Sequence, residues 1–517
     1  MLQATGIVMG SIFLSRVLGF LREWMVAHRI GSNAETDAYY AAFTLPDFLN
    51  YLIAGAALSI SFIPVFSKYL AEKREEEGWR VFSTIFTILG LLLIAFVLAA
   101  ELLAPQLVEI ISPGFPAEQK DHVVFLTRLM LPAQIFFYLG GLLTAVQYAH
   151  GRFLVPALAP LIYNLGIILG GWFLAPRLGA AGFSVGVLAG AFVGNFLLQW
   201  WGARQTGLRY RPRFDWRHEG FHRFLKLSLP IMLGFSLVYV DEWLQRVFGS
   251  YLESASITWL SYGKALRNIP VGLIGQAAGV ASFPFLARLY AEGKQEEMNR
   301  LLTGALRAVL FFMLPASALM MVAGKSIVFL VFSSTRLSPA DIEATASVLE
   351  LFALGATAWA AHSILARGFY ARGNTWLPTV LGSGVALLSV PLYGWLAEQH
   401  RHLGLALASS LGMSVYVALL FALLSYKTKN PHTRATLVFF LKVMTLSVIL
   451  GLVGKAILNL VEARIAWNTY AGSLAAIGVV GVAGLLLLPL LAKLFRIEEA
   501  KLYLRKVTSL FSQPDSD

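Results

Sequence analysis

Stretches of about 20 apolar residues recur from one end of the chain to the other, and that is the length a helix needs to cross about 30 Å of hydrocarbon. A β-barrel would instead show short segments of alternating polarity. The pattern predicts an all-α polytopic membrane protein of about fourteen transmembrane helices. They are expected near 4–28, 36–70, 80–104, 122–148, 153–175, 181–204, 224–250, 256–290, 299–324, 341–371, 376–397, 403–426, 436–459 and 467–493. Position 1 leads almost directly into the first span, with no basic n-region or small-residue cleavage site, so the first helix is expected to stay in place.

Composition agrees with the pattern. The chain of 517 residues is 57% apolar and 14% charged, with a mean hydropathy of +0.68, outside the range of soluble domains. It has no cysteine, which excludes disulfides, thiolate metal sites and cysteine nucleophiles. The net charge of +12 is distributed for a membrane rather than for nucleic acid. Lys and Arg gather in alternate connections: Lys68, Lys73, Arg74 and Arg80, then 204–226, then Arg288, Lys294 and Arg300, then Lys427, Lys429 and Arg434, then the tail from Lys493. The positive-inside rule therefore puts both termini in the cytoplasm, which requires an even number of spans. The segment IEEAKLYLRKVTSLF near the C-terminus reads as an interfacial amphipathic helix or as a solvated tail.

The chain also repeats itself. YAHGRFLVP at 148–156 is echoed by YARGNTWLP at 370–378, and IPVFSKYLAEKREEE at 63–77 by FPFLARLYAEGKQEE at 283–297. Gly182 and Gly190 map onto Gly404 and Gly412 in the same order. The offsets of 220 to 222 residues imply a duplicated six-span unit. The expected organisation is a six-helix lobe at 1–205, a second at 222–427, two added helices at 436–493 and a cytoplasmic tail at 494–517. Six is even, so the repeats enter the membrane in the same sense, an arrangement transporters use for alternating access around a site between the halves. Gly182, Gly186, Gly190 and Gly194, four apart, are a helix-packing stripe and not a binding site. The mid-span prolines Pro46, Pro64, Pro132, Pro270, Pro315 and Pro391 are expected to kink their helices.

The charges inside the spans carry the candidate chemistry. A charge at bilayer mid-depth costs roughly 3 kcal/mol on insertion scales, so it usually faces protein or a wet cavity. Such residues gather on the first pair of helices of each repeat: Arg16, Arg22, Glu23, Asp37, Asp47 and Asn50, then Asp241, Glu242, Gln245, Arg246, Lys264, Arg267 and Asn268. One reading is structural, with arginines snorkelling or paired to fix helix packing. The other is a cationic cavity for an anionic headgroup, since guanidinium forks match phosphate oxygens and keep their charge in a low dielectric. His362, alone in an apolar helix, reads as a packed or cavity histidine.

The run SRVLGFLREWMVAHRIGSNAETDAYYAAFTLP at 15–46, with FLVPALAPLIYNLGIILG from Phe153, SYLESASITWLSYG from Ser250 and GFYARGNTWLPT from Gly368, resembles the MurJ (MviN) family, the lipid II flippases of bacterial cell-wall synthesis. The resemblance implies substrate contact for Arg16 and Arg22, with Glu23 and Asp37 as acidic partners. Asn50, Lys264, Arg267 and Asn268 are further candidates, and Asp241, Glu242, Gln245 and Arg246 form a possible cation or gating group. This chain departs from the family pattern at Asp47, Phe48, Leu49, Asn50 and Tyr51 after Leu45-Pro46, and at Ala265, where an arginine is expected. That arginine's role passes to Lys264 or Arg267.

The function so implied is a non-enzymatic flippase that moves the pyrophosphate-sugar-peptide head of an undecaprenyl-linked precursor from the cytoplasmic to the outer leaflet of the bacterial inner membrane. It implies a monomer with the lipid bilayer as its medium, no nucleic-acid partner, no cofactor and no firm metal site, coupled to Na+, H+ or the membrane potential. The lipid tail is expected to stay in the bilayer, along helices thirteen and fourteen. The rivals are a flippase for another polyprenyl-linked oligosaccharide, a drug or cation antiporter of the same superfamily, and a membrane enzyme acting on polyprenyl phosphates. The antiporter would favour carboxylates over arginines. The enzyme would need an acidic or histidine cluster, and neither an HExxH nor an Asp-rich motif is present.

Overall fold

The computed structural model describes residues 2–54, 56–233, 237–497 and 500. All its regular elements among these are helical. The chain divides into two compact units, one of residues 1–235, 242–258 and 335–337, the other of 236–241, 259–334 and 338–517.

The first unit contains α1 (Leu2–Arg29), α2 (Ala34–Ala42), α3 (Thr44–Leu49), a π-helical segment Asn50–Ala54, α4 (Ala56–Ala71), α5 (Glu75–Leu102), α6 (Ala104–Ile111), α7 (Ala117–Met130), α8 (Ala133–Ala149) and α9 (Leu154–Phe173). After these come α10 (Ala175–Leu178), α11 (Ala180–Gly190), a π-helical segment Ala191–Leu197, α12 (Leu198–Arg204) and α13 (Glu219–Leu233). Small residues decide the tightest packing. A Cβ added to Gly186 would stand 2.6 Å from the carbonyl of Gly166, and one on Gly190 2.7 Å from that of Tyr163, so α11 lies on α9 backbone to backbone. Ser11, Ser15 and Gly19 continue the same logic on α1, where Ser11 donates to the Ala157 carbonyl and Ser15 accepts from Asn164 at 3.4 Å. Aromatic rings of Phe62, Phe66, Trp79 and Phe82 pack between α4 and α5.

Helix α14 (Leu237–Gly249) and helix α15 (Ser256–Pro270) each pass from one unit to the other part-way along. The second unit goes on with a π-helical segment Val271–Gln276, α16 (Ala277–Ala291), α17 (Gln295–Val322), α18 (Gly324–Phe332), α19 (Pro339–Tyr370), α20 (Trp376–Thr428), α21 (Thr433–Glu462) and α22 (Tyr470–Leu494). Helix α19 starts with a capping box, in which Ser338 and Asp341 satisfy each other's backbone N–H groups and Pro339 takes the first helical position. The tail expected at 494–517 lies, beyond Ala500, outside the described residues.

The repeat extends to backbone conformation. Positive φ angles recur 220 to 222 residues apart at Lys73 and Gly293, Gly151 and Gly373, Gly179 and Arg401, and Gly207 and Lys429. The π-helical segments starting at Asn50 and Val271 obey the same spacing, and the matched helices α5 and α17 have 28 residues each. Gly179 and Arg401 share even their ψ, −133°. Only one of that pair is glycine, so the second copy holds a conformation that L side chains rarely adopt.

Ten helices are long and apolar enough to cross a membrane among the described residues, against the fourteen spans expected. None of the helices described within 34–71 and 219–249 reaches 18 residues, and 376–428 counts once although Arg401 breaks it. The contact units also differ from the expected lobes of 1–205 and 222–427. Residues 222–235, 242–258 and 335–337 pack with the first unit, because Phe221 and Phe224 of α13 are buried there and Arg336 donates its N–H to the Ala27 carbonyl.

Candidate functional site

In the first unit the polar groups of α1 meet those of α2 and α9. Arg22 holds Glu23 through Nη2 at 2.6 Å and Nε at 3.2 Å, and reaches Asn164 Oδ1 through Nη1 at 3.3 Å. The other oxygen of Glu23 accepts from the Tyr40 hydroxyl at 2.5 Å. Glu23 is thereby nearly sealed, while the Arg22 side chain stays 28% exposed. Arg16 lies on the exposed surface of the same helix, and Arg29 stacks over Trp172 at 4.7 Å.

A second network lies nearby. Both Nη atoms of Arg246 bind Asp47 Oδ2 at 3.1 Å, Nη1 also donates to Thr44 at 3.2 Å, and Glu242 stands 3.8 Å away. Tyr163 is within electrostatic reach of both Arg22 and Asp47. Asn50 is half-buried at the start of its π-helical segment, and Gln245 is buried.

Asp37 is placed differently. It is 1% exposed, and its carboxylate accepts from the N–H of Ala255 at 2.7 Å, the N–H of Thr258 at 2.8 Å and the Thr258 hydroxyl at 2.6 Å. Those are orphan donors of the first turn of α15, so Asp37 caps that helix from a distance. It also holds Ala255 at φ 77.

In the second unit Asp241 is buried, accepts from the Tyr393 hydroxyl, and lies within electrostatic reach of Lys264 and Arg267. Arg267 is 1% exposed and lies over the rings of Phe352 at 5.0 Å and Trp359 at 4.5 Å, while its Nη2 donates to Asn268 at 2.9 Å. Lys264 is only half-buried and is the more accessible cation of the pair. The structure thus divides the expected group: Asp241 turns toward Tyr393, and Glu242, Gln245 and Arg246 belong with the first unit. His362 packs its ring on Tyr416 at 5.3 Å.

Sequence reasoning missed Tyr40, Asn164 and Tyr393. Asn164 had a readable signal, an amide in the apolar run LAPLIYNLGIILG. The tyrosines had none, since a tyrosine in a span reads as packing until its hydroxyl is seen on a carboxylate.

An apolar groove of about 800 Å³ opens in the second unit among α17, α19, α20 and α21. Leu310, Leu314, Leu354, Phe421, Phe440 and Val448 are among its lining residues.

A sequence model of the family described as lipid II flippase MurJ matches residues 26–480. Among curated proteins, the chain is 27% identical to a probable lipid II flippase MurJ of Vibrio cholerae over 94% of each chain. It is 26% identical to one of Thermotoga maritima over 96% of each. Among solved structures, a lipid II flippase MurJ in an inward closed conformation aligns with a TM-score of 0.80 at 22% identity, covering 95% of this chain and 99% of that one. An inward-facing multidrug resistance MATE family transporter of the MOP superfamily aligns with a TM-score of 0.67 at 13% identity, covering 82% and 98%.

Proposed function

This chain belongs to the lipid II flippase MurJ family, and on that premise we propose that it carries the head of lipid II, a lipid-linked peptidoglycan precursor, across the bacterial inner membrane. It is a multi-pass transporter and performs no covalent chemistry. The basic connections at 68–80, 204–226, 288–300 and 427–434, together with both termini, face the cytoplasm, and the protein works as a monomer.

The observation that carries this reading is Arg22. A guanidinium inside a membrane helix, fixed by Glu23 and Asn164 yet a quarter exposed, is built to grip a phosphate oxygen rather than merely to balance a neighbour. Arg16 and Lys264 add accessible cations, whereas Arg267, walled in by Phe352 and Trp359, orients the region around Asn268 and Asp241. The role of the family arginine absent at Ala265 passes to Lys264. The apolar groove takes the polyprenyl chain, because hydrocarbon needs only an apolar wall. A net charge crossing the membrane field gains about 2.3 kcal/mol per 100 mV, so the potential, or a cation at Asp241, biases the cycle.

The test is transport by the purified protein in proteoliposomes. The wild type moves a polyprenyl-diphosphate-linked glycan to the opposite leaflet and Arg22→Ala does not, although it inserts and folds. Undiminished transport by Arg22→Ala, or movement of a hydrophobic cation in place of the lipid, overturns the reading.

A further inference from the structure

The groove of the second unit ends differently at its two mouths. At the mouth near Thr433 the polar side chains bond to one another: Asn430 donates to Thr303 at 3.1 Å, Asn299 to the Thr428 carbonyl at 3.1 Å and Arg307 to Thr436 at 3.3 Å. At the far mouth three helices run out of apolar lining within one turn, each into a charge. The stripe on α21 through Met444, Val448 and Gly451 reaches Lys455. The stripe on α19 through Ala361, Thr357 and Leu354 reaches Glu350. The stripe on α17 through Leu314, Ala318 and Met321 reaches Lys325, the second residue of α18. Glu350 is within electrostatic reach of both lysines. Lys325 also faces Glu343 at 3.6 Å and lies 5.6 Å from the Trp467 ring centre.

We propose that this mouth is a binding site for the diphosphate of a polyprenyl lipid whose head has completed its crossing, with Lys325 and Lys455 on the phosphate oxygens and the chain in the groove. The proposal rests on the transport reading above and adds an exit site to it. Lysine suits a station that must release its ligand, being a strongly hydrated point charge and not a bidentate fork. Glu343 holds the Lys325 ammonium between ligands, and the negative charge of Glu350 competes with the diphosphate for both lysines, which limits its residence. The length of the groove selects the chain. Its lining on α21 extends from Thr433 to Leu452, about 29 Å at 1.5 Å per residue, the whole thickness of the hydrocarbon. An acyl chain stops at the bilayer midplane, and a polyprenyl chain fills the full length.

Native mass spectrometry of the full-length protein in detergent micelles tests the site, with undecaprenyl diphosphate, undecaprenol and phosphatidylglycerol as probes. The Arg22→Ala background removes the entry contact. In it, undecaprenyl diphosphate still binds, Lys325→Gln with Lys455→Gln weakens that binding about tenfold, and Glu350→Gln strengthens it. Undecaprenol, which has no phosphate, is indifferent to all three changes. Diphosphate binding unchanged by the double lysine substitution overturns the proposal, as does an equal loss of phosphatidylglycerol, which would mark a general anionic-lipid surface. Lysine-dependent binding in a protein that fails to transport supports the site and counts against the transport reading alone.

Discussion

Asp37 and Thr258, 221 positions apart, are joined twice, by the Thr258 N–H at 2.8 Å and its hydroxyl at 2.6 Å on one carboxylate oxygen. A buried carboxylate that satisfies helix-terminal N–H groups is a structural clamp. Asp37→Ala strands those donors and costs roughly 3 kcal/mol, lowering the thermal midpoint of the purified protein. Asp37→Asn keeps an acceptor and loses less. Transport abolished by Asp37→Asn at an unchanged midpoint would show that the carboxylate contacts substrate instead.

Arg22 and Glu23 separate folding from transport. Arg22→Ala leaves a buried carboxylate with only Tyr40 and lowers the thermal midpoint of a protein that still folds, so adding Glu23→Gln restores that midpoint without restoring lipid movement. Arg22→Lys keeps the charge but loses the fork that serves Glu23 and Asn164 together, and transport falls about tenfold. Flux at the wild-type level in the Arg22→Ala, Glu23→Gln pair would remove the arginine from the mechanism.

Arg246 and Asp47 form the other testable pair, 199 positions apart with both Nη atoms on one oxygen. A double-mutant cycle with Arg246→Gln and Asp47→Asn is expected to give a coupling of about 1–2 kcal/mol in thermal or denaturant unfolding. A coupling near zero would reduce this pair to a surface contact.

The glycines give a packing test with its own control. Gly186→Ala puts a methyl 2.6 Å from a backbone carbonyl that cannot move aside, and the yield of folded protein drops sharply. Gly384→Ala, in a helix with open space around the added carbon, is neutral or slightly stabilising in the same assay. Equal effects at the two positions would refute the close approach of α9 and α11.

Periodicity, charge and repetition are local or additive properties, and they were legible without coordinates. Apolar runs specified the helices because a spanning backbone must satisfy its own hydrogen bonds. The echo of 148–156 at 370–378 announced a repeat whose backbone angles recur even where glycine has become Arg401 or Lys429. The clustering of charges on the first two helices of each repeat likewise pointed to Arg16, Arg22 and Lys264 as cations to examine.

Partner choice belonged to the tertiary structure. Asp37, Asp47 and Asp241 look equivalent in sequence, yet one caps a helix, one pairs with Arg246 and one meets Tyr393, because each side chain bonds to whatever the folding brings within 3 Å. The same holds for Arg22 and Arg267, one partly exposed and the other buried against rings. Sequence determined how many charges enter the membrane and on which helices. Only packing decided which were neutralised and which stayed available, since a charge in low dielectric is fixed by its nearest neighbours and those are distant along the chain.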